Sequence, residues 1–269
     1  MREREELEPE AAERVVFGSG GEAKGDWAMF ESILGFWSGK DFLAQVLDDF
    51  SEMLRTAEKM YADVMGHFLI QRQEPEFRQS VYRRDQAINT LERKIRCRII
   101  SHLAVRPRVS LNACLVLMSV VKDAERLGDY SKNLLEAAEA IERPLDQGEF
   151  ERFFGDIPQQ IMGCFADTAK AFVESDEALA RSVVRCQRGV AARCEQIWLE
   201  LARSDLSPNH AVCLAVSARF MKRIALHLAN IATAVVMPVS DLDYWDEAGR
   251  GEDEVARGAG DPLTGLETS

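Results

Sequence analysis

The sequence VVKDAERLGDYSKNLL, residues 120–135, places acidic and amide side chains one helical turn apart. Glu125, Asp129 and Asn133 follow one another at i, i+4 and i+8, which aligns them on one face of an α-helix. Two carboxylates one turn apart repel each other. A bound cation with oxygen ligands would offset that repulsion, whereas the ordinary alternative is a solvated charged face.

Apolar residues at steps of three and four predict long helices on both sides of this stretch. A heptad pattern runs from Leu43 to Phe68, a second helix starts at Pro75, and a third covers residues 108–143. After a break at Pro144, helical patterns cover residues 150–173, with an interruption near Pro158, and then residues 176–203 and 208–236. The predicted fold class is therefore all-α, with two tandem pseudo-symmetric three-helix bundles.

The predicted organisation has five parts. Residues 1–26 are polar and glycine-bearing and are expected to be disordered, and residues 27–39 form a short amphipathic element. The first bundle covers residues 40–146 and the second residues 147–240. Residues 241–269 form an acidic, mostly disordered tail.

Charge and cysteine content limit the function classes. The formal net charge is -12, and most of it lies in the two tails, which argues against general nucleic-acid binding. One basic segment, residues 72–108, is either the solvated face of a helix or a docking surface for an acidic partner or anionic lipid. The six cysteines form no CxxC pair, so we predict free thiols and no disulfide. No signal peptide or spanning apolar run is recognised, and we expect a cytoplasmic protein.

The two halves can be aligned on their third helices. ERLGDYSKNL, residues 125–134, matches KRIALHLANI, residues 222–231, so Lys222 replaces Glu125, Leu226 replaces Asp129 and Asn230 matches Asn133. On the second helices, DQAINTLERKI, residues 85–95, lies over residues 187–197. The acidic and amide positions there become neutral in the second half: Asp85, Asn89 and Glu92 are replaced by Gln187, Ala191 and Cys194.

A D-x-x-I-N-x-L-E helix followed by an E-R-L-G-D-Y-x-x-N helix, duplicated along the chain, resembles the PhoU family of phosphate-signalling regulators. The resemblance covers roughly residues 40–240. It implies a regulator of phosphate uptake and of the phosphate-starvation response that contacts the phosphate transporter or its sensor kinase. It is compatible with a homodimer and with peripheral membrane contact, and it implies no catalytic residue.

The resemblance also implies a metal site between the second and third helices of the first bundle. Family members bind iron, zinc, manganese or magnesium through acidic motifs at these positions. The matching residues of this sequence are two aspartates, two glutamates and two asparagines: Asp85, Asn89, Glu92, Glu125, Asp129 and Asn133. In the second bundle Lys222 and Leu226 are unsuited to a cation, so no such site is expected there.

Two other functions stay open at the level of sequence. A carboxylate-bridged metal enzyme would use the same acids, but none of the histidines follows a glutamate by three residues as in di-iron bundles. A metal-free structural interaction bundle would leave the acidic face to solvent.

Overall fold

In this computed structural model, the structure describes residues 40–70, 75–107, 110–143 and 145–236. These ranges contain seven helices and no strand: α1 (Lys40–Ile70), α2 (Pro75–Val105), α3 (Leu111–Glu139), α4 (Gln147–Phe154), α5 (Ile157–Glu174), α6 (Glu177–Ala202) and α7 (Pro208–Thr233). The all-α prediction is confirmed. The expectations for residues 1–26, 27–39 and 241–269 fall outside the described residues.

Helices α1, α2 and α3 contact one another pairwise and form the first bundle. The predicted heptad residues of α1 are buried except Leu47, which is half-buried, and Phe50, Tyr61 and Phe68 are among the largest fully buried side chains. Helix α3 is shorter at both ends than the predicted residues 108–143. It starts after Ser110, whose left-handed φ of 59° cannot continue a right-handed helix, and its backbone hydrogen bonds end at Ala140.

Helices α5, α6 and α7 contact one another pairwise and form the second bundle. The predicted interruption near Pro158 is observed between α4 and α5, where Gly155 has a φ of 52°. Asp176 and Ser207 cap the N-termini of α6 and α7. The Asp176 side chain accepts a hydrogen bond from the Leu179 amide, and that of Ser207 accepts one from the His210 amide. Local capping therefore sets where α6 and α7 begin.

One continuous apolar core joins the two bundles. Helix α1 contributes aromatic rings that meet rings of the second bundle: Phe50 lies 4.8 Å from Phe172 and Tyr61 lies 5.6 Å from Phe165, centroid to centroid. Helix α3, the third helix of the first bundle, packs along α7, the third helix of the second bundle. Within the described ranges, no helix combines the length and apolar character needed to cross a membrane.

The basic residues of α2 mostly face acids of neighbouring helices. The Asp49 carboxylate of α1 lies 2.8 Å from Lys94 Nζ and 3.4 Å from an Arg98 guanidinium nitrogen. Arg84 forms an ion pair with Asp63 of α1 in the same way. Much of the charge that the sequence places on this segment is thus already paired inside the bundle, which favours the solvated-face interpretation over a docking surface.

Candidate functional site

Two pairs of carboxylates lie where α2 packs on α3. Asp85 and Glu92 of α2 face Glu125 and Asp129 of α3, and we call these four residues the acid seam. Asp85 and Glu125 are buried, with 7% and 8% of their surface exposed. The helices approach closely at Gly128, where an added Cβ would lie 2.8 Å from Ile88 Cδ1 and 3.9 Å from Asp85 Oδ1. The acids predicted from sequence therefore lie along the same helix interface, as two separate pairs.

A lysine ammonium group lies between the carboxylates at one end of the acid seam. Lys132 Nζ donates a hydrogen bond of 3.0 Å to Asp85 Oδ2 and one of 3.1 Å to Asp129 Oδ1. Burial alone lowers the pKa of Lys132, but the hydrogen bonds and negative charges of Asp85 and Asp129 outweigh it and raise that pKa. Lys132 is thus held as a cation that links α3 to α2.

A second lysine does the same at the other end. Lys122 Nζ donates a hydrogen bond of 2.7 Å to Glu125 Oε2 and lies 3.9 Å from Glu92 Oε1. Two arginines complete the arrangement, with Arg126 3.2 Å from Asp129 and Arg96 3.0 Å from Glu92. Each carboxylate of the acid seam therefore has at least one cationic neighbour.

The remaining predicted ligands are the amides Asn89 and Asn133. Both are half-buried, and each lies one turn beyond an aspartate of the acid seam on its own helix. In the second bundle Lys222 forms an ion pair with Glu195 of α6, and Leu226 is half-buried. The equivalent surface of α6 and α7 thus carries a single exposed ion pair at this point.

Sequence reasoning missed a polar contact between the two bundles. Asp123 of α3, only 6% exposed, accepts hydrogen bonds from His227 Nδ1 at 2.7 Å and from Asn230 Nδ2 at 3.1 Å, both on α7. The His227 ring also stacks on Tyr130 at 5.5 Å. The only signal in the sequence was an aspartate on the apolar side of an amphipathic helix, and its partner lies 104 residues away.

This contact has a counterpart that is related to it by the duplication of the chain. In the alignment of the third helices, Tyr130 corresponds to His227, and by the same offset Asp123 corresponds to Phe220. The structure pairs Tyr130 with Phe220, at 5.9 Å between ring centroids. One half of the α3–α7 interface is therefore an aromatic pair and the equivalent half is an aspartate–histidine pair. We call Asp123, His227 and Asn230 the polar latch.

Comparison with known proteins agrees with this architecture. A family model described as the PhoU domain matches residues 50–138, which run from the middle of α1 to the end of α3. The chain is thus similar to the PhoU family over about a third of its length. Two solved PhoU structures share its fold. The match to PhoU from Pseudomonas aeruginosa has a TM-score of 0.65 at 24% identity and covers 73% of this chain and 96% of that protein. The phosphate transport system regulatory protein PhoU from Streptococcus pneumoniae has a TM-score of 0.64 at 19% identity, over 72% and 93% of the two chains.

Two characterised relatives are named as accessory proteins. The phosphate-specific transport system accessory protein PhoU homolog of Xylella fastidiosa is 24% identical over 195 residues, which is 69% of this chain and 80% of the relative. Homolog 1 of Thermotoga maritima is 28% identical over 117 residues, 44% of this chain, and the match spans about half (49%) of that protein. Neither relative is named as an enzyme.

The acid seam holds lysines where the metal implied by the family resemblance would lie. A metal ion needs several carboxylate oxygens around one point. Within residues 40–70, 75–107, 110–143 and 145–236, no three or more acidic, histidine or cysteine side chains converge in that way. Lys122 and Lys132 lie between the carboxylates instead. This arrangement does not fit a bound metal unless the two ammonium groups move, and the metal site stays a prediction.

Proposed function

We propose that this chain regulates phosphate uptake and phosphate-starvation signalling from the cytoplasm, by protein–protein contact with a phosphate transporter or its sensor kinase. The observation that carries the proposal is the match to the Xylella fastidiosa accessory protein, which covers 69% of this chain and 80% of that relative. The geometry supports binding rather than catalysis. The acids that could serve as general acids or bases are engaged by lysines and arginines of the same two helices.

The test is to delete the gene in its host and to follow phosphate uptake together with a reporter of the phosphate-starvation response. We expect both to change, and expression of the intact chain to restore them. Complementation with Asp123→Phe, which removes the polar contact between the two bundles, should restore less than the intact chain does. A matched control is Glu177→Ala, which removes an exposed ion pair with Arg181. Unchanged uptake and an unchanged response after deletion would overturn the proposal.

We propose that metal binding in the first bundle depends on the positions of two lysines. The acid seam with Asn89 and Asn133 takes up a divalent or iron-type ion only when Lys122 and Lys132 leave it. Until then the first bundle works as a metal-free interaction bundle, an interpretation favoured by the lysine placement. A carboxylate-bridged metal enzyme would require the same displacement.

Elemental analysis of protein purified without chelator tests this condition. Three proteins are compared: the parent, Glu125→Ala with Asp129→Ala, and Lys122→Met with Lys132→Met. We expect the lysine variant to retain more iron, zinc or manganese than the parent, and the acid variant to retain no more than the parent. Equal metal content in all three would show that the acid seam takes no cation in either state.

A further inference from the structure

Two cysteines of the second bundle lie against each other. Cys164 on α5 and Cys186 on α6 are separated by 2.8 Å between their sulfur atoms, and both are free thiols. That separation is well inside the van der Waals contact of two sulfur atoms and approaches the S–S bond length of about 2.05 Å. The two sulfur atoms are therefore already in contact in the folded chain.

The helical hairpin that carries the pair is fixed at its turn. Helix α5 ends at Ser175 with a left-handed φ of 57°, and α6 begins at Asp176, whose side chain caps the new helix. Cys164 and Cys186 lie almost equally far from this turn on two antiparallel helices. The hairpin therefore places them opposite each other as a fixed pair rather than by a chance encounter of flexible segments.

The two thiols differ in access and in acidity. Cys164 is buried and Cys186 is half-buried. The Cys164 thiol donates its hydrogen bond to Cys186, which lowers the pKa of Cys186. The same interaction, together with burial, raises the pKa of Cys164. The thiol that solvent reaches is thus also the one that ionises first, which is the arrangement of an attacking cysteine beside a resolving one.

We propose that Cys164 and Cys186 are a reversible redox pair whose disulfide locks α5 to α6. The oxidant is a hydroperoxide. The Cys186 thiolate attacks one peroxide oxygen, the O–O bond breaks, and the other oxygen leaves as water or alcohol after taking a proton. The Cys186 sulfenic acid formed is then attacked by Cys164 sulfur. Its hydroxyl leaves as water with the thiol proton of Cys164, so two thiols and one hydroperoxide give one disulfide. A dithiol reverses the step by exchange.

The experiment treats the full chain with hydrogen peroxide below its unfolding temperature, blocks the remaining thiols in denaturant and digests with trypsin without reduction. Cleavage after Arg152, Lys170, Arg185 and Arg188 places the two cysteines on separate peptides, residues 153–170 and 186–188. We expect these peptides to appear joined, with a mass two hydrogens below their sum. Dithiothreitol should release them.

The variants separate this pair from general oxidation. Cys186→Ser should abolish the joined peptides, while Cys213→Ser, which removes a buried thiol elsewhere, should leave them unchanged. Cys164→Ser should leave a sulfenic acid on Cys186 that a dimedone probe captures. The exposed Cys97 reports that the oxidant has reached the protein. If Cys164 and Cys186 both stay open to alkylation after Cys97 is oxidised, or Cys186 passes to the sulfonic acid without the joined peptides, the proposal is wrong. This proposal is independent of the role in phosphate transport.

Discussion

The interface between the second and third helices differs in its charged residues between the two bundles. In the first, the acid seam between α2 and α3 holds Lys132 between two aspartates. In the second, the acids are gone from α6 and α7, and the position equivalent to Lys132 is Ala229, which is fully buried. The acids and the lysine are therefore present or absent as one set. Buried charges stabilise a fold only when paired, so losing one member without the others is costly.

The largest effect is expected from breaking that set. Lys132→Ala gives α3 the residue found at Ala229 but leaves Asp85 without a cation and Asp129 with Arg126 alone. We expect the free energy of unfolding to fall by about 3 kcal/mol, the low end for breaking a buried pair. Urea unfolding measures it. The matched change in the second bundle, Lys222→Ala, removes a more exposed pair and should cost at most about 0.5 kcal/mol.

Two checks show whether charge pairing is the cause. Adding Asp85→Gln and Asp129→Leu to Lys132→Ala copies Gln187 and Leu226 and should restore most of the stability, because well-packed neutral residues can replace a buried ion cluster. The pKa of Lys132 is raised in the fold, so its contribution is complete below the unfolded lysine pKa of about 10.4 and is lost as pH rises through the folded value. If the triple variant is less stable than Lys132→Ala, the charge-pairing argument fails.

The next effect concerns how closely the helices approach. Gly128 lets α3 approach Ile88 of α2, whereas the equivalent position in the second bundle is Ala225. Gly128→Leu would force its side chain into Ile88 and Asp85, and we expect a loss of about 2 kcal/mol from overpacking. In contrast, Gly189 on α6 has open space around its Cβ direction, so Gly189→Leu should raise helix stability by roughly 0.5–1 kcal/mol. Thermal unfolding of both variants gives the comparison, and similar losses in the two would contradict it.

A smaller effect is expected where the halves meet. Asp123→Phe leaves His227 and Asn230 without their acceptor and should cost about 1.5 kcal/mol. Adding His227→Tyr copies the Phe220–Tyr130 contact on the equivalent side of the interface. We expect the double variant to be about 1 kcal/mol more stable than the sum of the losses in the single variants Asp123→Phe and His227→Tyr would give. Strict additivity in this double-mutant cycle would show that the polar latch is not a replacement for the aromatic pair.

These comparisons also show what the sequence could predict. Helix positions, the duplication and the meeting of Asp85 with Asp129 follow from periodicity and from matching the halves. The ends of α3 were wrong by three or four residues because the backbone at Ser110 and Ala140, rather than the apolar pattern, ends the helix. The resemblance to a metal-binding family drew the interpretation toward a cation from solution, although Lys122 and Lys132 lie three residues from an acid on the same helix.

Contacts distant along the chain could not be predicted. The pairing of Asp123 with His227 depends on how two separate bundles pack, which no local spacing encodes. The approach of Cys164 to Cys186 depends on the register of one helical hairpin. In both cases the residues looked like ordinary members of amphipathic helices, and only the three-dimensional packing shows their partners.

The smallest effect concerns the reactivity of a cysteine in the second bundle rather than the stability of the fold. Cys194 occupies the position of Glu92, and burial raises its pKa to about 12, so an apolar thiol has replaced a charged acid. At neutral pH its thiolate fraction is on the order of 10³-fold below that of an ordinary cysteine with a pKa of about 8.5. We expect iodoacetamide to label exposed Cys97 much faster than buried Cys194 in the folded chain, measured by peptide mass spectrometry over time. Unfolding in urea should equalise the two rates. Comparable labelling rates of Cys97 and Cys194 in the folded chain would mean that the second bundle opens at Cys194 and exposes this thiol to solvent.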